Sequence, residues 1–137
     1  MANVLKIGEL ARMAECRIET IRYYEQQGLL PAPVRSDGNY RLYGNEHVER
    51  LRFIRHCRSL DMTLDSVRLL LRFRDAPEEN CGQVDALLDE HIGHVADRIA
   101  QLKLLEAQLR DLRGQCRSAK ASKDCRILQT LSPRKDG

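Results

Sequence analysis

Tryptophan is absent, and aromatic residues fill only 4% of the 137 positions. So few large rings argue against one bulky core and for a small domain joined to an extended element, or two small lobes. There is no apolar run of about 18 residues, the length a membrane-spanning helix needs. A charged leader followed by an apolar stretch is also missing, so a soluble, cytoplasmic protein with no membrane partner is expected. The cysteines number five, an odd count without compact spacing. They read as reduced thiols rather than a disulfide frame. Neither a cysteine–histidine–carboxylate set nor a glycine loop for phosphate is present, so no enzyme is expected. Charge, by contrast, is plentiful: 31% of residues carry it, which suits long solvated helices. The net charge of +3 is uneven, with arginines grouped at 35, 41, 50, 52, 55 and 58. A basic N-terminal half fits a polyanionic partner.

Ile7–Met13 reads as a short helix with Ile7, Leu10 and Ala11 on one side. After Ala14-Glu15-Cys16, Ile18–Gln27 reads as a second, stopped by Gly28. Two short helices across so brief a turn form a helix-turn-helix. The segment RSDGNYRLY follows, where Asp37-Gly38 marks a tight turn between two ribbon strands. The second helix can then enter a major groove while the basic ribbon meets phosphates. Asn45–Leu60 predicts a third helix with Val48, Leu51, Ile54 and Cys57 inward, and Thr63 caps a fourth over Leu64–Arg72. Cys57 and Cys16 read as small buried hydrophobes, and His47 and His56 as exposed or phosphate-facing.

Asp75-Ala76-Pro77-Glu78-Glu79-Asn80 breaks the chain before Cys81. From Gln83 to about Gly114 there is no proline, and Val84, Leu88, Ile92, Val95, Ile99, Leu102, Leu105, Leu109 and Leu112 recur at helical spacing. The small N-terminal lobe cannot cover such a stripe, so a self-associated coiled coil is expected, its seam made by Ile92, Val95, Ile99, Leu102, Leu109 and Leu112. His91 and His94 default to surface or seam positions. At about 1.5 Å per residue, a helix joining Cys81 to Cys116 spans roughly 50 Å. Metal–sulfur bonds of about 2.3 Å cannot bridge that. Cys116 and Cys125 flank a short polar loop and can meet; Cys81 can join them from a second chain running the opposite way. A three-thiolate site would thus form across an antiparallel homodimer. Arg117, Lys120, Lys123 and Arg126 supply a positive setting that favours thiolates. Ile127, Leu128 and Leu131 predict a short apolar helix able to shield the site. Three soft thiolates suit Pb(II), Cd(II), Hg(II) or Zn(II) rather than Mg(II), Ca(II) or Mn(II), with Glu79, Asp124 or water as a fourth ligand for cadmium or zinc.

Lys6-Ile7-Gly8-Glu9-Leu10-Ala11, Glu19-Thr20-Ile21-Arg22-Tyr23-Tyr24-Glu25-Gln26-Gln27-Gly28-Leu29-Leu30 and Asn39-Tyr40-Arg41-Leu42-Tyr43 resemble the DNA-binding domain of the MerR family of transcriptional regulators. The likeness extends through Arg58-Ser59-Leu60-Asp61-Met62-Thr63-Leu64 and the cysteine loop, over nearly the whole chain. It implies a mainly α fold: a winged helix-turn-helix domain over 1–75, an antiparallel coiled-coil dimerisation helix over 76–115, and a metal loop with a short helix over 116–137. It also implies that Arg22 and Tyr23 face DNA from the second helix, that Arg35, Asn39, Tyr40 and Arg41 do so from the wing, and that Arg58 does so from a loop after the third helix. One of Tyr23 and Tyr24 should pack inward, because adjacent helix positions point about 100° apart.

Cys81, Cys116 and Cys125 match the cysteines of the family's sensors of divalent ions, while copper(I) and iron–sulfur types fit poorly. Zinc types usually carry a second adjacent cysteine and a loop histidine, whereas Arg117 follows Cys116 here. The flanking text is most similar to the lead- and cadmium-responsive branch. The implied partners are double-stranded promoter DNA, a second copy of the chain and RNA polymerase holoenzyme. The implied effect of metal is to distort an operator that is already bound. A redox-sensing regulator and an intracellular thiol metal buffer are the alternatives.

Overall fold

The computed structural model describes residues 4–119 and 121–133. In chain order these form α1 (Ile7–Ala14), α2 (Ile18–Gln26), β1 (Val34–Arg35), β2 (Arg41–Leu42), α3 (Asn45–Ser59), α4 (Leu64–Arg74), α5 (Gly82–Gly114), a 3-10 turn (Ser122–Asp124) and α6 (Arg126–Leu131). Two compact units divide within α5, one reaching Leu87 and the other starting at Leu88.

In the first unit, α2 stops where the glycine predicts. Gly28 has φ of +73°. Its N–H donates to the Glu25 carbonyl at 3.1 Å and that of Leu29 to the Tyr24 carbonyl at 2.9 Å, the paired bonds of a Schellman cap. The wing strands pair antiparallel, Val34 opposite Leu42 and Arg35 opposite Arg41. In their turn the left-handed residue is Asn39, at φ 65°, rather than Gly38. Asparagine tolerates that region because its short amide bonds locally. Leu5 extends the ribbon: it exchanges two 2.8 Å backbone bonds with Tyr43, tying the chain ahead of α1 to the wing. At α4, the Thr63 hydroxyl oxygen accepts the Ser66 N–H at 3.1 Å, the expected cap.

The core gathers Leu10 and Ala14 of α1, Ile21 of α2, Leu29 and Leu30, Tyr43, then Val48, Leu51, Ile54 and Cys57 of α3, and Val67 and Leu71 of α4. The step of three along α3 places its apolar residues on one face. Tyr24 packs half-buried against this core while Tyr23 stays exposed, so the inward tyrosine is Tyr24. Burial pushes the thiols of Cys16 and Cys57 up from their ordinary value, which fits packing roles.

Two expectations are corrected here. His47 is buried, not exposed. Its Nδ1 accepts the Gly44 N–H at 3.1 Å, and its Nε2 lies 3.1 Å from the Pro31 carbonyl, to which it donates. Gly44 has no side chain to accept a first-turn N–H of α3; the imidazole at N3 instead accepts the N–H of Gly44 itself, the reciprocal half of a capping box. Arg58 lies in the last turn of α3, not in a loop, because that helix runs on to Ser59.

In the second unit, α5 is continuous to Gly114 despite Gly93. Its apolar residues face solvent in the single chain: Ile92 is 64% exposed and Leu109 57%. Val95, Ile99 and Leu102 are exposed as well, and Leu112 is half-buried.

Candidate functional site

Five of the seven residues assigned to DNA line one cleft of about 480 Å³: Arg22 of α2, with Arg35, Asn39, Tyr40 and Arg41 of the wing. Lys6, Ile7, Glu25 and Gln26 complete it. Its shape is held by polar bonds. The Glu25 carboxylate accepts the Tyr43 hydroxyl proton on one oxygen and lies 3.5 Å from Arg41 on the other. Arg35 braces the turn by donating to the Asn39 carbonyl at 3.3 Å. The Lys6 ammonium stands 5.6 Å from the Tyr40 ring centroid, a cation–π distance. Arg22 is exposed on the outer face of α2, one position from the fully buried Ile21. A helix edge and a ribbon edge therefore present cations side by side, the arrangement that meets a groove and its flanking phosphates.

Lys6 lines the same cleft and is not among the residues assigned to DNA from the sequence. It lies within the quoted motif, but its nearness to Tyr40 depends on the Leu5–Tyr43 pairing, which no local pattern signals. Two assigned residues lie outside the cleft's lining. Tyr23 is exposed on α2, and Arg58 donates to the Met62 carbonyl at 2.7 Å. Burial pushes the Tyr24 phenol up, and the positive charge of Arg58 works against this.

The candidate ligand cysteines are free thiols. Cys81 is exposed just ahead of α5, and its carbonyl accepts the N–H groups of Val84 and Asp85 at 3.0 and 3.1 Å. Cys116 and Cys125 are half-buried. Arg113 donates to the Cys116 carbonyl at 2.8 Å, and the Cys125 carbonyl starts α6 by accepting the Gln129 N–H at 3.1 Å. The Thr130 hydroxyl donates to Gln115 at 2.6 Å, so α6 turns back onto the chain beside Cys116. Ile127 is half-buried; Leu128 and Leu131 remain exposed in the single chain. Arg117, Lys123 and Arg126 are exposed on and beside this loop, as are Glu79 and Asp124 at their own positions. Lys120 lies outside the described residues. Among the described residues of one chain, no three His, Cys, Asp or Glu side chains stand together as a metal-binding group. In donor chemistry, three thiols outside any disulfide fit a soft divalent ion, that of Cys116 donating to the Ser118 carbonyl at 3.2 Å.

Fold and cleft define a winged helix-turn-helix DNA-binding protein. Residues 5–73 match the family described as MerR HTH family regulatory protein, and residues 48–112 match MerR, DNA binding. The HTH-type transcriptional regulator ZntR homolog of Haemophilus influenzae is 47% identical over 109 residues, covering 80% of this chain and 81% of that one. The transcription regulator PbrR691 of Ralstonia metallidurans CH34, solved in complex with lead(II), is 52% identical with a TM-score of 0.84, covering 93% of this chain and 99% of that one. The regulator MerR of Bacillus megaterium MB1, solved with mercury(II), is 32% identical with a TM-score of 0.68, covering 93% and 98%. The chain belongs to the MerR family of transcriptional regulators, and among these to the metal-responsive kind. Among the described residues, no helix is long and apolar enough to cross a membrane.

Proposed function

We propose that the protein is a cytoplasmic, homodimeric sensor of a soft divalent metal that activates metal-resistance genes by distorting promoter DNA in company with RNA polymerase holoenzyme. Lead(II) and cadmium(II) are the preferred effectors, and mercury(II) and zinc(II) also suit three thiolates. The observation that carries the reading is the distribution of thiols: Cys81 precedes a 33-residue helix, and Cys116 and Cys125 follow it. A helix of that length, at about 1.5 Å per residue, would keep Cys81 from the Cys116 and Cys125 of its own chain. The same helix exposes Ile92, Val95, Ile99, Leu102 and Leu109, a stripe suited to a second copy. An antiparallel pair would bring Cys81 of one chain to the loop of the other, one triad at each end. The lead-bound relative at 52% identity supports lead in particular. When bound, the metal supplies three metal–sulfur bonds, displacing the thiol protons. The chain's own part is to hold the loop: Arg113 fixes the Cys116 carbonyl, and the Gln115–Thr130 bond holds α6 over it.

On the DNA side, Arg22 and Tyr23 read from α2, while Arg35, Asn39, Tyr40, Arg41 and Arg58 position the backbone. Anaerobic titration with Pb(II) followed by absorption tests the metal site, with saturation expected at one ion per protomer. Run-off transcription from the promoter with and without metal tests the output. Activation by peroxide without metal would establish the redox regulator instead, and metal binding without specific duplex binding would establish the buffer.

A further inference from the structure

The carbonyls at the exit of α2 are held by arginines from two other helices. Arg68 of α4 donates to the Gln27 carbonyl at 3.0 Å and is itself braced by Asp65 at 3.0 Å. Arg50 of α3 donates through Nε to the Leu29 carbonyl at 2.6 Å. Its Nη1 also meets both carboxylate oxygens of Asp75, at 2.8 and 3.1 Å. The Arg50 side chain is only 12% exposed and that of Asp75 52%, so the guanidinium is sheltered while the carboxylate opens to solvent. Asp75 caps the end of α4 and opens the segment that runs to Cys81. The Arg50 guanidinium beside it, chiefly through the hydrogen bonds, holds the Asp75 carboxyl below its usual range, so the pair is charged at neutral pH. One guanidinium therefore touches Leu29, which follows α2 and is tied back to it by the N–H bond to the Tyr24 carbonyl, and the start of the segment carrying the first candidate metal ligand.

We infer that the Arg50–Asp75 pair couples the cysteine segment to α2, so that metal at Cys81 reorients the DNA-facing helix through it. The inference rests on the reading of Cys81 as a metal ligand. Five residues separate Asp75 from Cys81, and among them Pro77 removes one backbone donor and fixes its own φ. The Asp75–Ala76 end is itself tied back to α4, by N–H bonds to the Leu71 and Phe73 carbonyls at 2.9 and 3.1 Å. Drawing Cys81 toward a metal shifts this short, braced segment rather than uncoiling slack. The shift then reaches Asp75, Arg50 and the Leu29 carbonyl in turn. Asp75 is a positioning residue in this scheme: it touches neither metal nor DNA and acts through Arg50.

The experiment compares the full-length protein with Asp75→Asn and Asp75→Glu on an operator duplex selected from a random library, carrying a base analogue whose fluorescence reports unstacking. Pb(II) is the probe, and thermal unfolding checks that each variant is folded. For Asp75→Asn, Pb(II) titration and metal-free operator affinity should match the unaltered protein. Its metal-induced fluorescence change should fall about fivefold or more, the lower range of allosteric coupling. Asp75→Glu, which restores the charge, should recover most of it. An Asp75→Asn protein with the full response would overturn the coupling alone. So would one that loses metal-free operator binding in proportion, since that marks a purely structural residue. An unaltered protein that binds no Pb(II) would overturn the metal-sensing reading and the coupling with it.

Discussion

The Arg41 guanidinium on the wing lies 3.5 Å from one carboxylate oxygen of Glu25 on α2, and the other oxygen accepts the Tyr43 hydroxyl proton. One carboxylate thus joins α2 to the ribbon beside it. Glu25→Ala should loosen the wing and leave the Tyr43 hydroxyl without its partner, costing about 1–3 kcal/mol of stability. Operator affinity should fall with it, read by fluorescence anisotropy alongside urea unfolding. Unchanged affinity and stability together would show that the link carries no weight.

Burial first, and the Glu25 carboxylate second, push the Tyr43 phenol from its ordinary 10.0 up to about 12. The folded chain therefore holds this proton more tightly than the unfolded one. The stability it contributes is whole below about pH 10 and is lost as pH rises through about 12. Urea midpoints measured stepwise across that window should decline, and Tyr43→Phe should flatten the decline.

Beyond its own chain neighbours, no heavy atom lies within 4 Å of the place a Cβ on Gly28 would take, so Gly28→Ala meets no clash. Its φ of +73° nevertheless strains any L side chain. The cost should be about 1–2 kcal/mol, from backbone conformation alone. Gly28→Asn, which tolerates that region better, should cost less, and equal losses for the two would argue against this account.

Replacing both Leu102 and Leu109 by Glu should convert the dimer to monomer or unfold it, because the exposed α5 stripe would lose its apolar contact. Sedimentation at micromolar concentration distinguishes the outcomes, and a folded monomer from the unaltered chain would refute the dimer.

Mixing a Cys81→Ser chain with a Cys116→Ser/Cys125→Ser chain should restore one intact triad per heterodimer, while neither mutant homodimer keeps any. Tight Pb(II) binding by both homodimers would rule out a site shared between chains. On the DNA side, Arg22→Ala should weaken operator binding by about 1–3 kcal/mol with or without metal. Cys116→Ser should bind the operator and fail to activate. Metal that instead releases the unaltered protein from DNA would point to simple derepression.

Short-range features were legible in the sequence because their causes are local. Gly28 ends α2, Thr63 caps α4, and the three-residue step of Val48, Leu51 and Ile54 marks the inner face of α3. The wing turn was also legible, although the left-handed residue proved to be Asn39 rather than Gly38. The spacing of Cys81, Cys116 and Cys125 around a long apolar-striped helix is likewise a feature of the sequence, and the shared metal site drawn from it is a proposal. What tertiary structure alone decided are the contacts between residues far apart in the chain. His47 is buried because the Pro31 carbonyl, 16 residues earlier, lies within reach of its ring. Lys6 enters the cleft because Leu5 pairs with Tyr43. Arg50 meets Asp75 because α3 and the end of α4 pack on one core. Periodicity and caps report which face of a helix turns inward, but a side chain's distant partner depends on how the helices cross, and that is set by the packing of the whole lobe.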